Sequence, residues 1–171
     1  RYAATRGYEI RGLVLASTPG VEYSAYIIDQ WRRRWETSGM DLKIVRARTG
    51  WFKSQLDKIA KGGRKALLGR PAGLIADLLK IDPLKDYKRV RMRSLILAGQ
   101  SDITVVTDDV NALRAGMPRN RKITISRPKS VGHLMQHSPR FLELSEMWKI
   151  PSPISPAASK PLLDWLKKNA R

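Results

Sequence analysis

The sequence predicts an α/β fold of about three parallel strands with flanking helices and a mostly helical insertion. Three observations carry that expectation. Short unbroken apolar runs, Leu13-Val-Leu-Ala16 and Leu95-Ile-Leu-Ala98, mark strands covered on both faces. Segments of helical period alternate with the strands, which in one sheet implies parallel pairing through right-handed crossovers. With 171 residues, 42% hydrophobic and 28% charged, the chain suffices for one domain with a sizeable core, or one domain plus an insertion.

Taken in order, Arg1 to Thr5 reads as the last turn of a helix, with Gly7 as its left-handed cap, leading into the strand Leu13 to Ala16. Ser17-Thr-Pro-Gly20 stops that strand. From Val21 to Trp35 the residues Tyr23, Ile27, Trp31 and Trp35 recur every four positions along one helical face, beside Arg32, Arg33 and Arg34. Such a stripe is ordinarily core packing with a solvated basic face; the sharper alternative is a lid over an apolar substrate or an anionic interface. Asp41 to Arg48 fits a helix or a short strand, broken by Thr49-Gly50, and Trp51 to Lys61 is helical in period up to Gly62-Gly63. Arg64 to Lys80 is apolar and basic, interrupted by Gly and Pro. Residues 21–85 thus form a mostly helical insertion in a domain spanning 1–171.

Asp82 to Tyr87 is turn material. Val90 to Ala98 is the second strand. Thr107 is a good N-cap for a helix to Met117, with Asp108 and Asp109 in its first turn facing the positive end of the helix dipole. Lys122 to Ser126 alternates Ile123 and Ile125 with polar residues, as a strand near the sheet edge does. Ser138-Pro139 opens a helix to Trp148, Ile150 to Pro156 is an extended crossing, and Ser159-Lys-Pro161 starts a final helix whose apolar side is Leu162, Leu163, Trp165 and Leu166.

Two titratable residues follow strand ends: Asp102 after Ala98-Gly-Gln-Ser, and His133 after Val131-Gly. The carboxyl-end rim of an open α/β sheet is where sites are built. The segment between them holds one helix and one strand, a crossover that returns both loops to the same rim. A serine hydrolase needs a base for the hydroxyl proton and an acid that fixes the base's tautomer, and His133 and Asp102 suit these roles. His137, beside Ser138, ranks below His133, and Asp108 and Asp109 rank below Asp102. No G-x-S-x-G occurs among the thirteen serines, and Ser101 does not complete one. Without Cys, disulfides, thiolate ligands and a cysteine nucleophile are excluded. No metal-ligand or phosphate-loop spacing is present, so no cofactor and no metal are expected.

Along about 100 residues the sequence resembles the C-terminal half of an α/β-hydrolase. Arg11 to Gly20 is similar to the strand after the nucleophile helix, Arg93 to Asp102 to the strand and loop presenting the acid, Val131-Gly-His133 to the histidine loop, and Pro161 to Leu166 to the closing helix. The resemblance implies a serine hydrolase of the monoacylglycerol lipase and lysophospholipase type. In such an enzyme Asp102 and His133 are the acid and base, and 21–85 is the cap. It also implies that Arg1 to Thr5 ends the elbow helix and that the serine lies upstream. The opening on Arg1 fits a fragment, and no esterase turnover is expected from these residues alone.

The +18 net charge is concentrated between Arg32 and Arg93, where 18 Lys plus Arg face 6 Asp plus Glu, a net +12. That density attracts anionic partners. The expected partner is a small ester or lipid substrate, with an anionic membrane surface at the basic insertion; no DNA- or RNA-binding motif supports nucleic acid. The competing function is a basic binding module, for nucleic acid or anionic membrane, without catalysis. No apolar run approaches the roughly 20 residues of a membrane span, and no signal peptide opens the chain, so a cytoplasmic location, peripheral to membrane if the basic insertion docks there, is expected.

Overall fold

The structure, a computed structural model, describes residues 10–63, 65–118, 122–142, 146, 149 and 153–169. It divides into two compact units, Arg1–Gly20 with Asp86–Arg171, and Val21–Lys85.

The first unit is built on a three-stranded parallel sheet in the order β1 (Gly12–Ala16), β4 (Arg93–Leu97), β5 (Ile123–Ser126). Its register runs from Gly12 opposite Arg93 to Ala16 opposite Leu97, and from Ser94 opposite Ile123 to Leu97 opposite Ser126. The central strand is buried on both faces from Ser94 to Ala98, which is why it reads as a continuous apolar run. β5 lies at the edge of this sheet; Ile123 and Ile125 alternate with polar residues in sequence, but burial does not follow, since Ile123 is half-buried and Ile125 exposed. Leu95 and Leu97 pack with Trp165 of α6 (Pro156–Asn169), joined by Val14, Met135 and Leu162. Gly12 permits this packing: a Cβ there would lie 2.5 Å from the Trp165 ring.

α5 (Thr107–Gly116) connects β4 to β5 and buries Val110 and Leu113. The expected Thr107 cap is corrected here. Thr107 is the first helical residue and its hydroxyl takes a hydrogen bond from Arg127, while the Asp109 carboxylate accepts the Val106 N–H at 3.0 Å. The carboxylate thus reaches back to the residue before the helix, while Asp108 and Asp109 lie in the first turn as expected. α6 begins at Pro156, with the Ser155 hydroxyl accepting the Ala157 N–H, and not at Ser159. Ser-Pro is the stronger start signal, and Pro161 is carried inside the helix. Of its predicted apolar side, Leu163 and Leu166 are exposed. Pro139 to Leu142 is not helical: the Ser138 hydroxyl donates to the Arg140 carbonyl, and its N–H to Ser130, so Ser138 caps no helix. Most of the rest of that predicted helix, the start of the Ile150 crossing and the Gly7 cap lie outside the described residues.

The second unit is mostly helical. It comprises α1 (Tyr23–Thr37), α2 (Leu42–Ala60), a hairpin of β2 (Ala66–Leu67) with β3 (Arg70–Pro71), and α3 (Ala72–Leu79). Its core is Phe52, Leu56, Ile59, Leu67 and Ile75, with Ile27, Trp31 and Trp35 packed on it. The α1 stripe is therefore core packing, and Trp31 and Trp35 are spent within the unit. Arg32 pairs with Asp29 and with Glu36, the latter at 2.8 Å, and Arg33 pairs with Asp29, so much of the α1 basic run is neutralised locally. Those two carboxylates hold the Arg32 guanidinium above its ordinary pKa.

Thr49-Gly50 does not break α2. Asp41 caps the helix at the Lys43 N–H, and the Thr49 hydroxyl donates back to the Val45 carbonyl at 2.8 Å. Val45, Phe52, Leu56 and Ile59 keep one buried face across the glycine. A mid-helix glycine costs about 1 kcal/mol relative to alanine, less than that burial contributes. The helix ends as expected, Gly62 taking φ of +75° and the Gly63 N–H reaching the Lys58 carbonyl.

Asp82 to Tyr87, expected as a turn, contains the short helix α4 (Pro83–Tyr87). Proline at its first position has the right φ, and the Asp82 carboxylate accepts the Lys85 N–H. The Tyr87 hydroxyl donates to the Pro19 carbonyl at 3.1 Å. Burial, reinforced by Asp86, raises the Tyr87 pKa. The folded state thus holds this proton more tightly than the unfolded chain, and the contribution is complete below the ordinary tyrosine value of about 10 and lost as pH rises through the folded value. Denaturant melts of wild type and Tyr87→Phe between neutral and strongly alkaline pH are expected to show a shallower alkaline decline in the variant. Identical slopes would contradict it.

Candidate functional site

The β4 and β5 exit loops of the first unit are laced together by backbone. The Ala98 N–H reaches Ser126, Gln100 reaches Pro128 and Ser101 reaches Val131, at 3.0 to 3.1 Å. The approach is so close at Gly99 that a Cβ there would lie 1.9 Å from the Val131 carbonyl oxygen. Only glycine fits.

That lacing brings Asp102 and His133 together. Asp102 Oδ2 lies 3.1 Å from His133 Nδ1. Asp102 Oδ1 accepts the N–H groups of Thr104 at 2.7 Å and Val105 at 2.9 Å. The Asp102 side chain is wholly buried and the His133 side chain 21% exposed. A carboxylate can only accept, so the histidine proton sits on Nδ1 and the lone pair remains at Nε2. The arrangement therefore fixes a tautomer able to take a proton and offers a buried negative group to stabilise the imidazolium.

His133 is held by a tight turn. The Met135 N–H reaches the Gly132 carbonyl, and the Gly132 N–H reaches the Gln136 carbonyl at 3.1 Å. Ser130 and Met135 adopt positive φ values of 52° and 62°, conformations that cost energy for side-chain-bearing residues. The Ser155 N–H ties the turn to α6 through the Met135 carbonyl at 2.8 Å.

The lower-ranked residues go elsewhere. His137 is exposed and bridges Val131 through backbone; Asp108 is exposed; Asp109 is buried on the Val106 N–H. Ser101 is buried, and among the described residues no serine hydroxyl is hydrogen-bonded to the His133 ring. Nor does any described group of three or more His, Asp or Glu side chains form a metal-binding cluster. Two polar residues escape sequence reasoning. Ser17, just past β1 on the same rim, holds φ of 43° with a buried hydroxyl, and Gln136 buries an amide that has no hydrogen-bond partner among the described residues. Neither carries a pattern in the sequence, because both are defined by what surrounds them. A cleft lined by Arg32, Glu36, Leu42, Val45, Arg46 and Thr49 belongs to the helical unit and includes neither Asp102 nor His133.

No family model matches the chain, and no curated protein does. Among solved structures it is similar to BpoC of Mycobacterium tuberculosis H37Rv, assigned as a non-heme bromoperoxidase, at 16% identity and a TM-score of 0.38, over 73% of this chain and 51% of that one. It is also similar to CumD, the meta-cleavage product hydrolase of Pseudomonas fluorescens IP01, at 14% identity and a TM-score of 0.38, over 86% and 55%. The chain spans about half the length of either protein. Likeness at this level carries no argument about activity. Among the described residues no helix is long and apolar enough to cross a membrane. The chain is an α/β protein, on the strength of its parallel sheet and flanking helices.

Proposed function

We propose that the chain supplies the acid and base of a serine hydrolase of the α/β-hydrolase superfamily, acting on a carboxylic ester or lipid. The observation that carries this reading is the buried Asp102 carboxylate placed 3.1 Å from His133 Nδ1. His133 Nε2 would take the proton of a serine hydroxyl as it attacks the ester carbonyl, then return it to the leaving alkoxide. A second round, with water in place of serine, would release the acid. Asp102, anchored by Thr104 and Val105, would hold the ring and stabilise its charged form without itself taking the proton. The nucleophile would come from a G-x-S-x-G elbow outside these 171 residues, and the helical unit would serve as the cap. No resident cofactor is needed for this chemistry.

The test is a protein extended upstream through the nearest strand–elbow–helix. Hydrolysis of p-nitrophenyl butyrate and labelling by a fluorophosphonate, both lost in His133→Ala, are expected, with no turnover from the 171 residues alone. An upstream sequence without an elbow, or hydrolysis indifferent to His133, would overturn the proposal.

A further inference from the structure

The tip of the hairpin in the helical unit is built at a cost that packing does not repay. Leu68 and Gly69 occupy its two central positions with φ of 51° and 72°, a turn that favours Asn-Gly or Gly-Gly. Leucine is disfavoured in that backbone conformation. Its side chain is also 52% exposed, whereas its neighbour Leu67, at 3%, already anchors the hairpin in the core. A Cβ built at Gly69 meets nothing within 4 Å, so the tip stands in open space. Leu74, at the start of α3, is 50% exposed.

The charge in the sequence flanking this tip has one sign. Between Lys58 and Asp77 the sequence contains four basic residues and no acidic one. Lys61, Lys65 and Arg70 are exposed. By contrast, Arg32 and Arg33 are paired on α1, and Lys80 and Lys85 are paired with Asp77 and Asp82.

We propose that the β2–β3 hairpin docks on an anionic lipid surface, Leu68 entering the acyl boundary while Lys61, Lys65 and Arg70 meet the headgroups. An aliphatic tip inside a cationic collar matches the two layers of such an interface, apolar below and negative above. A phosphate backbone would use the cations but would have no place for the leucine. This inference stands apart from the hydrolytic reading and fails or survives without it.

The experiment is co-sedimentation of the 171-residue chain with vesicles of phosphatidylcholine containing about one-third phosphatidylserine, against pure phosphatidylcholine, over a salt series. Binding confined to the anionic vesicles and weakening with salt is expected. Leu68→Gly should bind about tenfold more weakly, the order expected for withdrawing one leucine from an apolar phase. Because glycine accepts positive φ, its melting temperature should be unchanged or raised, so the loss cannot come from unfolding. Lys65→Glu with Arg70→Glu should weaken binding by at least tenfold. Equal binding to neutral vesicles, full binding by Leu68→Gly, or preferential binding of duplex DNA that ignores Leu68→Gly would each overturn the proposal; the last would name nucleic acid as the occupant.

Discussion

In an ester-hydrolysing protein that carries this chain, His133→Ala is expected to lower kcat by about a million-fold, and Asp102→Asn by about ten-thousand-fold, with KM little changed. In the proposed mechanism the histidine carries the proton, so its removal leaves no base. The aspartate would act through the ring: an amide facing Nδ1 can donate a proton, which favours the tautomer with its proton on Nε2, the wrong side for the serine. The two losses should not add, because both belong to one unit, and the double variant should be no slower than His133→Ala. Stability separates Asp102→Asn from Asp102→Ala. Asparagine retains an oxygen for the Thr104 and Val105 N–H groups, whereas alanine strands two buried donors, at about 1–3 kcal/mol each. Steady-state kinetics beside thermal melts of all four variants would check this. Near-normal kcat in Asp102→Asn would show that the contact with His133 is structural.

Gly99→Ala is expected to destabilise the sheet unit by about 3 kcal/mol, lowering its melting temperature by on the order of 10 °C. The added methyl would collide with the Val131 carbonyl oxygen and carbon, at 1.9 and 2.5 Å, and both are backbone atoms that no rotamer change can move. Relief requires the β4 and β5 exit loops to separate. That breaks the Ser101 to Val131 bond and pulls Asp102 away from His133, so the substitution is also expected to reduce any activity carried by the pair. Gly50→Ala is the control: its Cβ meets nothing within 4 Å, and a helical alanine should stabilise by up to about 1 kcal/mol. Circular dichroism melts would decide. A Gly99→Ala protein as stable as Gly50→Ala would show that the loops are not held as closely as the structure describes.

Much of the sheet was legible because strand signals are local. A buried central strand must be apolar on both faces, and Leu95 to Ala98 shows it; Ile123 and Ile125 mark the third strand by alternating with polar residues, although Ile125 is exposed once the sheet forms. Punctuation was less reliable. Thr49-Gly50 looks like a break, yet the face from Val45 to Ile59 is buried without interruption and outweighs a weak propensity. Ser138 looks like a cap, yet its N–H is drawn to Ser130 across the loop. Thr107 does not cap because the helix starts on it, with Val106 at the cap position and its N–H taken by the Asp109 carboxylate.

The sequence by itself determined the α/β class, the positions of the three parallel strands but not the short hairpin, the basic middle, and the presence of an aspartate and a histidine in the segments that follow two of those strands. Those follow from patterns confined to a few neighbouring residues. Only the tertiary structure decided that Asp102 Oδ2 meets His133 Nδ1, that Oδ1 is taken by Thr104 and Val105, that Gly99 must lack a side chain, and that Leu68 is strained and exposed. The physical reason is range. Apolar period and chain breaks act within a turn of helix or a few residues of strand, whereas a hydrogen bond between groups 31 residues apart exists only once the sheet and its crossover have closed the distance.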